Sequence, residues 1–311
     1  MNLLVTGAWS GGKNCIAELE EMGHSVRFMQ FEKDDLPCAY DWVECVICNG
    51  LFLYHPIERF TNLKYIQLTS AGFDRVDTDY VKAHSIEIHN ARGVYSVPMA
   101  EFALSGVLQI YKQAAFFREN QRNHLWEKHR GLLELSGKNV LIVGCGSVGN
   151  ECAKRFNAFE CNVTGIDLFP GEDSLYGKIL PLDKLDEALT QADIVVLTLP
   201  LTERTKHLFD DNKLSLLKDG AVLVNIARGA VVDTEALMKH IKRLGGAVLD
   251  VFEEEPLDKY SSLWDCENII LTPHNSFVGE GNLSRLKMIA MGHIFEIGIR
   301  ENDKLKNDFK N

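Results

Sequence analysis

Short, wholly apolar runs alternate with amphipathic ones along most of the chain. Residues 2–6 (NLLVT) read as a buried strand, and residues 13–23 (KNCIAELEEMG) as an amphipathic helix closed by Gly23. SVRFMQF, WVECVIC, KYIQLTS and IEIHN follow as further short strands, with polar or helical segments between them. Strands that alternate with helices predict a parallel sheet covered on both faces, so residues 1 to about 97 form one small α/β unit. Residues 97–117 (VPMAEFALSGVLQIYKQAAFF) then predict one long apolar helix with Pro98 in its first turn. That helix is too apolar for a solvated linker and suits a bridge between domains or a subunit contact. Polar residues 121–131 (QRNHLWEKHRG) suit an exposed connection.

From Lys138 a second series begins: NVLIVG, NVTGID, ADIVVLTLP, AVLVNIA, GGAVLDVF and NIILTPH. Six strands with helical stretches between the early ones predict a complete doubly wound sheet. LSRLKMIAMGHIFEIGIR is helical, and the polar tail ENDKLKNDFKN is expected to fray.

A chain of 311 residues exceeds what one core usually organises, so two domains are expected. A net charge of -11 argues against a nucleic-acid partner, which needs clustered Lys and Arg. No apolar run approaches the ~20 residues of a membrane span, and the N-terminus lacks the basic region of a secretory signal. The eight cysteines do not resemble a disulfide framework. Cys45 and Cys48 lie within the apolar run VECVICNG, where a buried strand is a better reading than a metal site, and no metal is expected. A cytoplasmic location follows from reduced thiols and no export signal.

Two glycine turns compete as a dinucleotide site. The first, TGAWSGGK (6–13), is similar to the turn of short-chain dehydrogenases, with Lys13 where the last glycine belongs. That chemistry needs Tyr and Lys four apart, which no tyrosine here provides, and the first carboxylate after SVRFMQF lies past the strand end. The second, NVLIVGCGSVG (139–149), meets every requirement of the Rossmann fingerprint. Gly144 permits the tight turn, Gly146 lets backbone N–H groups approach a pyrophosphate, and Gly149 allows close helix–strand packing. The pyrophosphate would rest at a helix N-terminus. Asp167 ends the next strand, where a carboxylate accepts the ribose hydroxyls and repels a 2′-phosphate, so NAD is favoured over NADP.

Three later motifs each place a polar residue after an apolar strand: Arg228 in NIARGAVVD, a glutamate of 253–255 in LDVFEEEPL, and His274 in LTPHNS. A guanidinium grips a carboxylate through two parallel hydrogen bonds. An imidazole exchanges a proton with an oxygen near neutral pH. A carboxylate beside it fixes its tautomer. Hydride transfer to a 2-keto acid needs an anchor, a proton donor and a nicotinamide, and behind a dinucleotide fold these three residues fit that need.

The order GxGxxG–Asp, LPLTxxT, NxARGxxVD, DVFxxEP and TPH resembles the D-specific 2-hydroxyacid dehydrogenase family. LKYIQLTSAGFDRVD (63–77) and SVPMAEFAL (96–104) extend the likeness into the first domain. The resemblance implies an α/β fold of two doubly wound parallel-sheet domains. A Rossmann NAD-binding domain (98–278) is inserted in a flavodoxin-like substrate domain (1–97 and 279–311). It implies NAD as cofactor, a small D-2-hydroxy or 2-keto acid as substrate, and a homodimer with the helix near Val97 at its interface. His274 becomes the acid/base, Glu255 its partner, and Arg228 the clamp and polariser. Backbone N–H groups around Ala71 and Gly72 bind the substrate carboxylate. Ser147 and Val148 line the pyrophosphate, Pro200 and Thr205 the adenosine side, and Ala227 and Asp250 the nicotinamide.

Two stretches depart from the family. HNSFVGEGN replaces the usual apolar residue and small-residue loop after the histidine. NGLFLYHP (49–56) lies where relatives contact the substrate side chain and fits no subfamily; Phe52 and Tyr54 within it, and Tyr95, are candidate pocket residues, with core packing the alternative for each. An NAD-sensing corepressor of the same fold is the alternative function. Formate-type chemistry is disfavoured because that branch resembles a Gln at position 255.

Overall fold

The computed structural model describes the backbone of residues 1–308 and the side chains of residues 1–300. It divides into two compact units, Met1–Tyr95 with Gly279–Asn311, and Ser96–Val278.

In the first unit, β1 (Asn2–Thr6), α1 (Ile16–Glu21), β2 (Ser25–Met29), β3 (Cys45–Cys48), β4 (Tyr65–Leu68), α2 (Thr78–Ala83) and β5 (Glu87–His89) build a five-stranded parallel sheet of order β2-β1-β3-β4-β5. The inner strands β1 and β3 are almost wholly buried because both faces are covered, whereas the edge strands β2 and β5 carry Arg27, Glu87 and His89. Cys45 and Ile47 enter one core, Val46 and Cys48 the other. The two cysteines of CVIC therefore point to opposite faces, and burial pushes the Cys45 thiol up to about 12. The long C-terminal helix (Asn282–Asp308) returns to this unit, laying Leu286, Ala290, Ile294 and Ile297 against Leu3, Val5 and Leu19. It carries the polar tail on to Asp308, with residues 309–311 outside the described part.

The opening glycine turn is filled from within. Gly7 donates its N–H to the Met29 carbonyl at 2.8 Å. Trp9 is buried in the turn, and a side chain at Gly12 would meet its ring at 2.9 Å. The turn runs into one 3₁₀ turn and a six-residue α1, so no long helix presents its N-terminus there.

The second unit opens with α3 (Ser96–Tyr111) and α4 (Ala114–Arg122). It continues through β6 (Asn139–Val143), α5 (Ser147–Ala158), β7 (Asn162–Asp167), β8 (Lys178–Pro181), α6 (Leu185–Leu189), β9 (Ile194–Leu197), α7 (Asp211–Ser215), β10 (Val222–Asn225), α8 (Thr234–His240), β11 (Gly246–Leu249) and β12 (Ile269–Leu271). All seven strands are parallel, in the order β12-β11-β10-β9-β6-β7-β8. The chain winds outward from β6 in one direction and from β9 in the other. The switch point between them is where sheets of this class bind ligands.

Two expectations are corrected. The sheet has seven strands rather than six: β8 is a half-exposed edge strand ending in Pro181, which a search for apolar runs passes over. The helix predicted over 97–117 is two helices. Gln113 is left-handed (φ 52°, ψ 48°), and its side-chain amide donates to the Ile110 carbonyl, satisfying one of the acceptors at the end of α3. Neither Gly nor Pro marks that break. Within its own unit, Ala100, Ala103 and Val107 of α3 are buried, and a side chain at Gly106 would meet Val248 of β11 at 2.7 Å.

Candidate active site

Three glycines shape the loop after β6, each for a different reason. Gly144 has φ +103°, and a side chain there would lie 2.8 Å from the Leu199 backbone. At Gly149 a side chain would meet the Gly144 carbonyl oxygen at 2.1 Å, so α5 can approach the loop only through glycine. Gly146 is the reverse case, with open space where a side chain would stand. It is also the N-cap of α5 and offers no side-chain cap, leaving the first-turn N–H groups of Ser147 and Val148 to an external acceptor. The Ser147 hydroxyl lies 2.7 Å from that of Ser96.

Asp167, ending β7, accepts from the Cys145 N–H at 2.7 Å and the Phe169 N–H at 3.0 Å. Its carboxylate is thereby fixed beside the glycine loop. Burial pushes the neighbouring Cys145 thiol up to about 11, which disfavours its thiolate. Open space over Gly146, an uncapped helix and a fixed carboxylate suit a dinucleotide. Thr205, across the switch point, is buried. Its hydroxyl donates to the Pro200 carbonyl at 2.7 Å and accepts from the Thr202 N–H at 2.7 Å, so it shapes this loop from inside.

Arg228, the glutamates and His274 follow the neighbouring strands β10, β11 and β12. Asn225, buried at the end of β10, accepts from the Ala227 N–H and donates to the Arg228 carbonyl, closing a tight turn. The Arg228 guanidinium donates to the Ala227 carbonyl at 2.8 Å. At Gly229 a side chain would stand 1.8 Å from the carbonyl carbon of Phe252, so the Arg228 turn lies directly on the segment carrying the glutamates. Asn225 and Gly229 were not singled out from sequence. The buried asparagine after the apolar VLVN run and the glycine beside the arginine were the available signals.

The structure separates the three glutamates. Glu255 accepts from the Phe252 N–H at 3.0 Å through one oxygen and lies 2.8 Å from Nδ1 of His274 through the other. Glu253 faces away, toward His207 and the N-terminus of α8. Burial alone would raise its carboxyl, but Thr234 and His207 hold it below the ordinary range. Because a carboxylate only accepts, Nδ1 of His274 carries the proton and Nε2 is the atom that can exchange one. His274 is left-handed (φ 50°), pinned by its own N–H donating to the Asp250 carbonyl at 2.7 Å.

Asp250 is fully buried. It accepts from the Thr272 hydroxyl (2.7 Å), the Asn275 N–H (2.8 Å) and the Ser276 N–H (2.9 Å). It therefore holds the divergent HNSF segment by its backbone. Phe277 stands edge-on to the His274 ring at 6.1 Å.

In the first unit the Ala71 carbonyl accepts from Asn90 at 2.7 Å, and the Gly72 carbonyl from the Ser70 hydroxyl at 3.0 Å. A trans peptide aims its N–H opposite its carbonyl, so Gly72 and Phe73 present theirs away from these partners. Of the residues in NGLFLYHP, Phe52 packs edge-on against Phe60 at 5.7 Å, which makes it a core residue, whereas Tyr54 is exposed. The Tyr95 hydroxyl donates to the Thr69 carbonyl.

Among the described residues, no group of His, Cys, Asp and Glu is arranged to hold a metal, and no helix is long and apolar enough to cross a membrane. A family model described as the NAD binding domain of D-isomer specific 2-hydroxyacid dehydrogenases matches residues 104–276. The chain is 32% identical over 250 residues to an (S)-sulfolactate dehydrogenase of Chromohalobacter salexigens, covering 78% of this chain and 81% of that one. It is 35% identical over 223 residues to a glyoxylate reductase of Thermofilum pendens, covering 68% of this chain and 65% of that one, just under two thirds of its length. In three dimensions it matches a D-isomer specific 2-hydroxyacid dehydrogenase family protein from Aeromonas salmonicida with a TM-score of 0.81, at 27% identity over 95% of each chain.

Proposed function

The chain belongs to the D-isomer specific 2-hydroxyacid dehydrogenase family, and from that premise we propose that it reduces a small 2-keto acid to the D-2-hydroxy acid with NADH, using His274, Glu255 and Arg228. The observation that carries this reading is the 2.8 Å contact between Glu255 and Nδ1 of His274, on a segment in backbone contact with the Arg228 turn.

NADH supplies the hydride when bound. Gly144, Gly146, Ser147, Val148 and Gly149 hold its pyrophosphate, and Asp167 its ribose. Pro200 and the Thr205-braced loop border the adenosine side, and Ala227 and Asp250 the nicotinamide. The N–H groups of the Ala71–Gly72 loop take the substrate carboxylate. Arg228 polarises the keto group and stabilises the negative charge that grows on its oxygen. His274 gives that oxygen a proton from Nε2, and Glu255 keeps Nδ1–H in place while the ring changes charge.

A homodimer is part of the proposal. The segment after α3 exposes Phe117, Leu125, Leu132 and Leu133, and Trp126 is 97% exposed. Apolar side chains in such a run suit a subunit contact.

The test is turnover of NADH with a panel of 2-keto acids, read with chiral analysis of the product. D-hydroxy acid formation is the expected result. Tight NADH binding without turnover on any acid would favour a sensor of the same fold.

A further inference from the structure

The first carboxylate after β2, Glu32, is too far along to serve a dinucleotide at the opening turn, and the structure gives it other partners. Its Oε1 accepts from the Asn49 N–H at 2.7 Å and the Thr6 hydroxyl at 2.8 Å, and its Oε2 from the Gly50 N–H at 2.7 Å. Thr6 is fully buried at the end of β1, so the carboxylate is tied to the sheet on one side. On the other it holds the first two residues of the segment that follows β3.

That segment borders the carboxylate-binding loop. Strands β3 and β4 are paired, and the Thr69 N–H donates to the Cys48 carbonyl at 2.9 Å, so the chains leaving the two strands start side by side. They also run close together at Gly50. Around the α-carbon of Gly50 stand Leu53 Cδ1 at 3.4 Å from the position a side chain would take, Arg75 Cδ at 3.5 Å and Glu32 Oε2 at 3.5 Å. Leu53 and Tyr54 then project exposed, at 61% and 58%. Open α/β sheets bind ligands beyond the carboxyl ends of their strands. A keto acid whose carboxylate lies on Gly72 therefore has this segment as the neighbour of whatever group it carries beyond the keto carbon.

We infer that Glu32 is a positioning residue for substrate selectivity: through the Asn49 and Gly50 N–H groups it sets where Leu53, Tyr54 and Arg75 stand against the substrate's side chain. The inference rests on the keto-acid reductase reading above. It requires no contact between Glu32 and the substrate.

Glyoxylate has no side chain, and pyruvate, hydroxypyruvate and oxaloacetate carry progressively more. The inference predicts that Glu32→Ala leaves kcat/KM for glyoxylate within about twofold. For the larger acids it lowers kcat/KM roughly tenfold or more, mainly through KM, while KM for NADH is unchanged; a tenfold loss is the worth of about 1.4 kcal/mol, within the range of lost hydrogen bonds to a charged group. Glu32→Gln keeps an oxygen for Asn49 and Thr6 but turns an NH₂ group toward Gly50, so it should restore part of the loss. An equal fall for glyoxylate and the larger acids would show a merely structural role and overturn the inference, as would no change for any acid. Wild-type protein that reduces none of the four would instead overturn the reductase reading, and this inference with it.

Discussion

Gly229→Ala probes how the Arg228 turn is fixed to the Glu255 segment. The added carbon would stand 1.8 Å from the carbonyl carbon of Phe252, 1.9 Å from its oxygen and 2.4 Å from the Glu253 nitrogen. Non-bonded carbons rest about 3.5–4.0 Å apart, so the two backbones must separate by roughly 1.5–2 Å. All three atoms are main chain, and no side-chain rotation can relieve the contact. Overpacking of this kind costs about 1–3 kcal/mol of stability, and a displacement of about 1 Å between catalytic groups costs on the order of 10²-fold in rate. Steady-state NADH oxidation with the best keto acid should show at least that loss in kcat/KM, while urea unfolding should still report a cooperative native state. Gly171→Ala, where the space is open, serves as the control and should change neither. A Gly229→Ala protein with wild-type kcat/KM would refute the claim that this contact sets the catalytic geometry.

His274→Ala should lower kcat by roughly 10²–10⁴, measured at saturating NADH; an unimpaired variant removes the histidine from the mechanism. Arg228→Lys should sharply reduce kcat/KM for the keto acid, because an ammonium lacks the planar fork, and full activity would argue against the clamp. Asp167→Ala should narrow the preference for NADH over NADPH in paired KM measurements, and an unchanged ratio would place the ribose elsewhere. His293, which meets Gln67 at 2.7 Å and stacks on His89 at 4.3 Å, is held below the ordinary imidazole range by burial and then by the His89 charge. The fold disfavours its charged form, so its contribution is complete above about pH 6.5 and declines as acid protonates the unfolded chain first. Urea melts between pH 7.5 and 5 should show a slope that His293→Gln flattens; an identical slope in the variant would assign the acid sensitivity to other groups.

Much of this was legible in the sequence because buried parallel strands leave unbroken apolar runs, and because a dinucleotide turn demands glycine at fixed steps. Gly144 and Gly149 are required by backbone contacts that the spacing alone implies. The half-exposed β8 and the left-handed break at Gln113 were not legible, since the first lacks an apolar run and the second lacks a breaker residue. Residue type alone leaves Glu253, Glu254 and Glu255 open; the resemblance names Glu255, the one directly before Pro256, and the turn brings that carboxylate to His274. Trp9 shows the opposite case: the glycines of the first turn have a dinucleotide look, and only the buried indole reveals that the space is filled.

The C-terminal helix gives the chain an order of assembly. Its apolar residues complete the same core as Leu3, Val5 and Leu19, so the first hundred residues leave a ribosome with one wall of their interior still unmade. The inserted unit, by contrast, has all of its strands in hand once Leu271 has emerged. The half synthesised first is thus the half finished last, its interior closed only when Ile297 is in place.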